Sequence, residues 1–356
     1  MKALVFEHYG KAEEVLKLKD IPDLEPKDGE VKVRMLYSPI NPSDIYNTIE
    51  GTYKDAYSNA IWNLNKLDDE VVADPFGTKQ IPKLPHIPGL EGVGYVVKAG
   101  KGLRGKFLVG KRVMVLGAEK GNWQEYNVVD AKQAIPVNKN LTDEEAATFF
   151  VNPATAFIMV KKVLNCKEGS FLLQSAANSE LGKMVIRLGK HYGFKTVNLI
   201  RNEDQRKHLL ELGADYVINT ENESVKQRVF DITNGKGVDY AIDPVGGKLG
   251  SEMTQCLGLK GHMLVYGTLS NQPLQFASRN LMTPVAKLEG FFLANYMLDR
   301  SMLQKLSIIR QVGKLIQKGV LKSEIGKVYP LEDFRAAFQE VNKAGNQGKV
   351  LFKISE

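Results

Sequence analysis

The sequence predicts an α/β protein in two parts: a compact, mainly β domain and a domain built on a doubly wound parallel sheet. Three observations lead there. The chain has 356 residues, beyond the size at which one hydrophobic core keeps growing, so two domains are expected. Its first part is rich in short strands and turns. After "IPVNKNLTDEEAA" strands and helices alternate, the rhythm of βαβ units around a parallel sheet. We assign residues 1–137 and 325–356 to the β domain and 138–324 to the parallel-sheet domain.

In the first part "VKVRMLYSPI" and "EGVGYVVKAG" alternate as half-buried strands do. "KRVMVLG" is a short apolar strand between glycine-bearing turns. The stretch Lys54–Leu84 reads as an insertion, with Tyr57, Trp62 and Phe76 among acidic and polar residues and no clear period. Loops of that length in a compact domain serve as lids or interfaces, or are disordered. In the second part "FLLQSA" leads into a helix, "TVNLI" into a helix from Glu203, and "YVIN" into a third. "VDYAID" and "HMLVYG" keep the same rhythm. From residue 325, "KVYPLEDFRAAFQEVNKAGNQGKVLFKI" reads strand, helix, strand, and returns to the first domain.

Hydrophobic residues make up 43% and charged residues 25% of the chain, ordinary values for a soluble globular protein. No stretch approaches the ~18 apolar residues of a membrane span. The opening "MKALVFEHYG" moves directly into strand-like alternation, with no apolar signal core or arginine- and serine-rich transit segment, so a cytoplasmic protein is expected. Two cysteines, Cys166 and Cys256, build neither a disulfide framework nor a four-thiolate zinc lobe, and are expected as small apolar fillers. The net charge of +7 favours anionic ligands. The lysines are spread along the chain rather than stacked into a basic arm, which argues against nucleic-acid binding as the main role.

One stretch carries chemistry: "LLQSAANSELGKMVIRLG", Leu172–Gly189, a buried strand, a turn and an amphipathic helix. In a dinucleotide-binding fold this turn presents backbone N–H groups at a helix start to a pyrophosphate. Glycines there make the turn, admit the phosphate and let helix pack on strand. Here Ala176 and Ala177 are small enough for close approach, and Asn178 tolerates left-handed backbone and can cap. Gly182 falls where helix meets strand. Leu181, Met184, Val185, Leu188 and Tyr192 repeat at helical spacing as the buried face. Glu180 is awkward: a carboxylate repels a pyrophosphate unless it points to solvent, where it suits the helix dipole. The stretch reads equally as a plain strand–turn–helix with an ordinary cap. About twenty residues on, "TVNLIRN" ends in Arg201. NAD sites place an acid there for the ribose hydroxyls, whereas a basic group suits the 2′-phosphate of NADPH. NADPH is therefore the expected cofactor. The alternative for Arg201 is a solvated surface charge.

Taken with "INPSD" (Ile40–Asp44), "EGTY" (Glu50–Tyr53), "IPGLEGVG" (Ile87–Gly94), "GNWQEY" (Gly121–Tyr126), "VNPATA" (Val151–Ala156), "DPVGG" (Asp243–Gly247), "VYGTL" (Val265–Leu269) and "GKVLF" (Gly348–Phe352), this loop makes the chain resemble one family along nearly its whole length. It is similar to the zinc-independent members of the medium-chain dehydrogenase/reductase superfamily, the quinone oxidoreductase and 2-enoyl thioester reductase branch. The asparagine–serine loop looks closer to the enoyl reductases. The resemblance implies a GroES-like catalytic domain made of both chain ends and a Rossmann cofactor domain between them. It also implies a homodimer formed through the edge of the cofactor-domain sheets. Zinc-dependent relatives carry cysteine and histidine where this chain has Ser43 and Leu90. Leucine ligates no zinc and serine is a poor ligand, so no metal is expected. His86, nearby, reads as a surface or loop histidine.

Without a metal to polarise an alcohol, the expected chemistry is hydride addition to an activated double bond. Charge then builds on the carbonyl oxygen, which needs hydrogen-bond donors, and the α-carbon takes a proton from a group within reach. The resemblance implies Tyr53 as that proton donor; its alternative is a tyrosine that only shapes the pocket. It places Asn41 and Asp44 along the cleft, though Asp44 reads equally as the cap of a helix starting at Ile45. It puts Asn152 beside the cofactor, where the following Pro153 also makes it a good helix N-cap. It sets Asn178, Ser179, Glu180 and Leu181 at the pyrophosphate, Arg201 at the 2′-phosphate, and Tyr266, Gly267, Thr268 and Leu269 along the nicotinamide. Phe291, Phe292 and Leu293 would wall the cleft, with plain core packing as the alternative for Phe292. Lys349 would reach a phosphate, or else be a solvated lysine. The expected activity is NADPH-dependent, metal-free reduction of an α,β-unsaturated carbonyl compound, first a 2-enoyl thioester. An NADPH:quinone or short enal/enone reductase is the alternative, and a non-catalytic nucleotide- or RNA-binding protein the minor one.

Overall fold

A computed structural model describes residues 1–51, 83–117, 120–343 and 348–355. The chain forms two compact units, Met1–Phe149 with Ser323–Glu356, and Phe150–Lys322. The first junction thus falls at 149/150, where the sequence suggested 137/138, and the second at 322/323. The helix Asp143–Ala147 accounts for the first difference. It opens on a full capping box between Thr142 and Glu145. Arg112 then ties it to the first unit, reaching the Asp143 carboxylate at 2.6 Å and the Leu141 carbonyl at 2.7 Å.

In the first unit β1 (Lys2–Val5) pairs antiparallel with β2 (Lys17–Asp20). The larger sheet contains β3 (Glu30–Pro39), β4 (Glu91–Ala99), β5 (Arg112–Leu116), β6 (Tyr126–Asp130), β7 (Ala134–Pro136), β14 (Ile325–Pro330) and β15 (Lys349–Lys353). Its order is β14-β15-β3-β4-β5-β7, with β6 also against β3. Val31, Val33 and Met35 of β3 pack on Val96, Val113 and Val115. The returning tail is held by aromatic packing: Phe338 and Phe352 meet the buried Trp123 edge to face at 5.8 and 5.2 Å. Such pairs contribute about 1 kcal/mol each beyond their burial. "IPGLEGVG" and "GNWQEY" press against each other here. A Cβ on Gly121 would sit 2.0 Å from the Ile87 carbonyl oxygen, so only glycine permits the approach.

In the second unit β8 (Phe171–Gln174), β9 (Lys195–Ile200), β10 (Tyr216–Asn219), β11 (Val238–Asp243), β12 (Leu257–Val265) and β13 (Lys287–Gly290) form one sheet in the order β10-β9-β8-β11-β12-β13. All its pairings are parallel. The chain runs outward from β8 to β10, then restarts at β11 and runs the other way. The order reverses between β8 and β11, and the carboxyl ends of strands at such a switch are where open α/β sheets bind ligands. The helix Glu180–Tyr192 buries Leu181, Met184, Val185 and Leu188 and leaves Tyr192 half-buried. It stops at Gly193, whose φ of 77° is the left-handed cap glycine provides cheaply. Cys166 and Cys256 are buried and free. Burial pushes each thiol up to about 12, as suits inert filler.

Candidate functional site

The turn after β8 is tight where the sequence required it and is built differently from the expectation. The left-handed residue is Ala176, with φ 48°, and the helix N-cap is Ser179, whose hydroxyl accepts the Gly182 N–H at 3.1 Å. Asn178 therefore supplies neither of the features its residue type suggested. Gly182 does what its position required: a Cβ there would lie 2.4 Å from the Ala177 carbonyl oxygen. The buried Gln174 fastens the helix to the sheet, donating to the Gly182 carbonyl at 3.0 Å and to Asn198 at 2.7 Å. Glu180 is not directed simply to solvent. Its carboxylate meets the ammonium of Lys183 at 3.0 Å, with side chains only 9% and 1% exposed. The charge that argued against a phosphate site is thus paired within the same turn. Lys183 carried no assignment from the sequence, although a lysine three residues after a glutamate on an apolar stripe is a readable signal.

Asp243, at the end of β11, joins this turn to the other half of the sheet. Its buried carboxylate accepts from the Ser175 hydroxyl, the Val245 N–H at 2.9 Å and the Gly246 N–H at 3.0 Å. Its carbonyl accepts the Tyr266 N–H at 3.0 Å, and Pro244 accepts from Leu269 at 2.9 Å. The "DPVGG" turn therefore fixes Tyr266, Gly267, Thr268 and Leu269 beyond β12. Gly267 is packed on Pro244, where a Cβ would meet its carbonyl oxygen at 2.8 Å. Burial, and next the Asp243 charge, raise the Tyr266 phenol above its ordinary range. Phe291 is buried and donates its N–H to Val265 at 2.8 Å. Phe292 and Leu293 are half-buried at the start of the helix Leu293–Leu298. Asn152 is half-buried and second in the helix Val151–Ile158, whose cap position is Phe150. It does not cap that helix. Arg201 is exposed directly after β9.

Asn41, Asp44 and Lys349 come together in the first unit as a buried cluster. The Lys349 ammonium donates to the Asn41 side-chain oxygen at 2.6 Å, so Lys349 is no solvated lysine. The Asn41 amide reaches Glu91 at 3.4 Å. The Asp44 carboxylate accepts the backbone N–H groups of Asn41 and Leu90, both at 2.8 Å. It thus joins the start of the π-helix Asp44–Ile49 to the turn before β4. Burial, opposed by those two N–H groups and Lys349, raises its carboxyl from 3.8 to about 6. Glu91 was quoted within a motif but given no role by the sequence reading. Tyr53 lies outside the described residues, as do Tyr57, Trp62 and Phe76. His86 is half-buried, pairs through its backbone with Phe6 and packs on that ring. Burial lowers its imidazole to about 4, so it is neutral near pH 7.

Among the described residues no group of three or more histidine, cysteine, aspartate or glutamate side chains is arranged to hold a metal ion. No helix there is long and apolar enough to cross a membrane.

Residues 27–139 match the alcohol dehydrogenase GroES-like domain, and residues 181–329 the zinc-binding dehydrogenase domain. The chain is 32% identical to the mitochondrial enoyl-[acyl-carrier-protein] reductase of Xenopus tropicalis, over 95% of this chain and 91% of that protein. It is 31% identical to the Caenorhabditis elegans protein of the same name, over 99% and 96%. Among solved structures, a Bacillus thuringiensis protein assigned as an NADPH:quinone reductase superposes with a TM-score of 0.85 at 31% identity, over 99% of both chains. The Escherichia coli quinone oxidoreductase complexed with NADPH gives 0.83 at 23% identity over 99% and 100%, a likeness of fold. The fold and these relatives define a two-domain, nicotinamide-dependent type of oxidoreductase. This chain belongs to the medium-chain dehydrogenase/reductase superfamily, in its quinone oxidoreductase and enoyl reductase branch.

Proposed function

We propose that this protein is an NADPH-dependent reductase that saturates the C=C bond of an α,β-unsaturated carbonyl compound, with a 2-enoyl thioester as the first substrate class. The observation that carries this is the neutralised turn after β8. Gly182 is sterically required where the helix start packs on the Ala177 backbone of the turn, and the turn's one carboxylate is already paired with Lys183. NADPH, when bound, supplies the hydride for the β-carbon. The first-turn N–H groups of a helix have no carbonyl ahead of them within it. The Gly182 N–H is accepted by the Ser179 hydroxyl and the Ser179 N–H by the Ala176 carbonyl, so Asn178, Glu180 and Leu181 carry the proposed pyrophosphate contact while Ser179 and Gly182 shape the turn. Arg201 suits a 2′-phosphate as a planar, permanently charged fork. Asn152, and Tyr266, Gly267, Thr268 and Leu269 on the backbone frame of Asp243, would orient the nicotinamide. Phe291, Phe292 and Leu293 would exclude water. Asn41 and Asp44 belong to the same proposal as residues that shape the substrate side, and Lys349 as the residue that reaches a cofactor phosphate. Tyr53 would give its phenolic proton to the α-carbon.

The quinone or enal reading is the alternative, supported by the assignment of the Bacillus thuringiensis protein. A homodimer is also proposed, through β13, the edge of the parallel sheet. Leu259, Met282 and Val285 are 75%, 75% and 66% exposed beside it, more apolar surface than solvent favours at one edge. A cytoplasmic location belongs to the proposal and is tested by cell fractionation, since the relatives named above are called mitochondrial.

Purified protein given NADPH or NADH with crotonyl-CoA, a quinone and a short enal in parallel tests the activity. Oxidation of NADPH by the thioester, reduced at least about a hundredfold in Tyr53→Phe, is the expected result. Turnover of the quinone alone, indifferent to that substitution, selects the alternative. No dinucleotide binding overturns both.

A further inference from the structure

Directly beyond β9, where a carboxylate would accept hydrogen bonds from the ribose hydroxyls of NADH, the chain places both Arg201 and Glu203. Their charges call for opposite coenzymes, and the structure shows what holds the acid. One Glu203 oxygen is held by the Arg206 Nε. The other accepts from the same guanidinium at 3.2 Å and from the Asn219 side-chain amide at 3.0 Å. Arg206 is itself anchored across the sheet. It donates to the Val217 carbonyl of β10 at 2.5 Å and to Glu223 at 3.0 Å. Glu223 in turn accepts the Asn219 N–H at 2.9 Å and the Arg228 Nε at 2.8 Å. The acids Glu203 and Glu223 are thus matched by Arg206 and Arg228. Arg201 is exposed and makes no hydrogen bond or ion pair among the described residues. A single exposed ion pair would fix nothing, since such pairs contribute little and exchange freely. A two-pronged contact whose arginine is also tied to a strand backbone and a second carboxylate is preorganised.

We propose that Arg206 sets the coenzyme preference by holding the Glu203 carboxylate away from the ribose, leaving Arg201 as the uncompensated cation for a 2′-phosphate. The proposal rests on the NADPH-dependent reductase reading and adds the residue that makes it selective. Arg206 is a positioning residue: it acts through Glu203 and need not touch the dinucleotide.

The test uses the full-length protein and the variants Arg206→Met, Glu203→Gln and Arg206→Met/Glu203→Gln. Dissociation constants for NADPH and NADH come from fluorescence titration, and KM and kcat for each coenzyme from assays with one saturating enone. Melting curves establish that each variant folds. Arg206→Met is expected to lower the NADPH-to-NADH ratio of kcat/KM by about tenfold or more, as a freed carboxylate faces the 2′-phosphate. The change should lie in the coenzyme KM and Kd with kcat little altered. The double variant should recover the wild-type ratio to within about threefold, because the charge that Arg206 restrained is gone. An unchanged ratio in Arg206→Met overturns the proposal. A double variant that keeps the Arg206→Met ratio also overturns it, since the effect would then be structural. Wild-type protein that binds neither dinucleotide defeats the reductase reading itself, and is told apart from these results by the titration of the unmodified chain.

Discussion

Lys183 sits on the buried face of its helix, in the first turn, where a cation is disfavoured by the helix dipole. Its pairing with Glu180 explains why both charges are tolerated there. Breaking a buried pair by removing one partner is destabilising. Lys183→Met should therefore lower stability in urea unfolding and also weaken NADPH binding. Adding Glu180→Gln should return most of both. Equal losses in the single and double variants would show that the pair has no such role. At this scale the sequence was legible where a position has one steric solution. Gly182 could be read because only glycine fits where the helix start packs on the backbone of the turn before it. Asn178 and Ser179 could not be told apart as caps, because both residue types cap well and backbone path alone selects between neighbours.

Among the elements, the π-helix Asp44–Ile49 and β4 are joined by one buried carboxylate. The Asp44 carboxyl, raised to about 6, binds its proton more tightly in the folded chain than in the unfolded one. Its contribution to stability is fully present below about pH 4 and is lost as pH rises through about 6, roughly 3 kcal/mol in all. The stability of the wild type relative to Asp44→Asn should therefore fall between pH 4 and 7, as measured by urea unfolding across that range. A difference that stays level, or grows with pH, would sink the assignment. The sequence left Asp44 open between a helix cap and a cleft residue. The structure shows it accepting from Asn41 just ahead of the helix and from Leu90 across the unit, and the second bond is long-range information. Ser175 and Asp243 make the same point at the sheet switch: each follows or ends a strand that local patterning reveals. That their side chains meet depends on β8 lying beside β11.

For the whole molecule, the parallel sheet of the second unit ends at β13, with Leu259 of β12 and Met282 and Val285 ahead of β13 exposed. Val285→Lys is expected to shift the protein from dimer to monomer in sedimentation or light scattering at micromolar concentration. It should do so without altering the melting of each protomer's core, since Val285 is 66% exposed. A wild type that is monomeric throughout the range removes the dimer proposal.

The sequence by itself determined the two-part architecture, the strand–helix rhythm of the second unit, the return of the tail and the tight strand–turn–helix after β8, which we propose as the cofactor turn. These follow from hydrophobic periodicity and from turn and glycine requirements, which act between residues close in the chain. Only the tertiary structure decided that the helix Asp143–Ala147 belongs with the first unit. It alone showed that Lys349 is drawn into a buried cluster with Asn41, and that Glu180 and Glu203 are each neutralised by a basic neighbour. Charges and hydrogen bonds of that kind depend on distance and burial in three dimensions, and distant segments acquire both only when the sheets close.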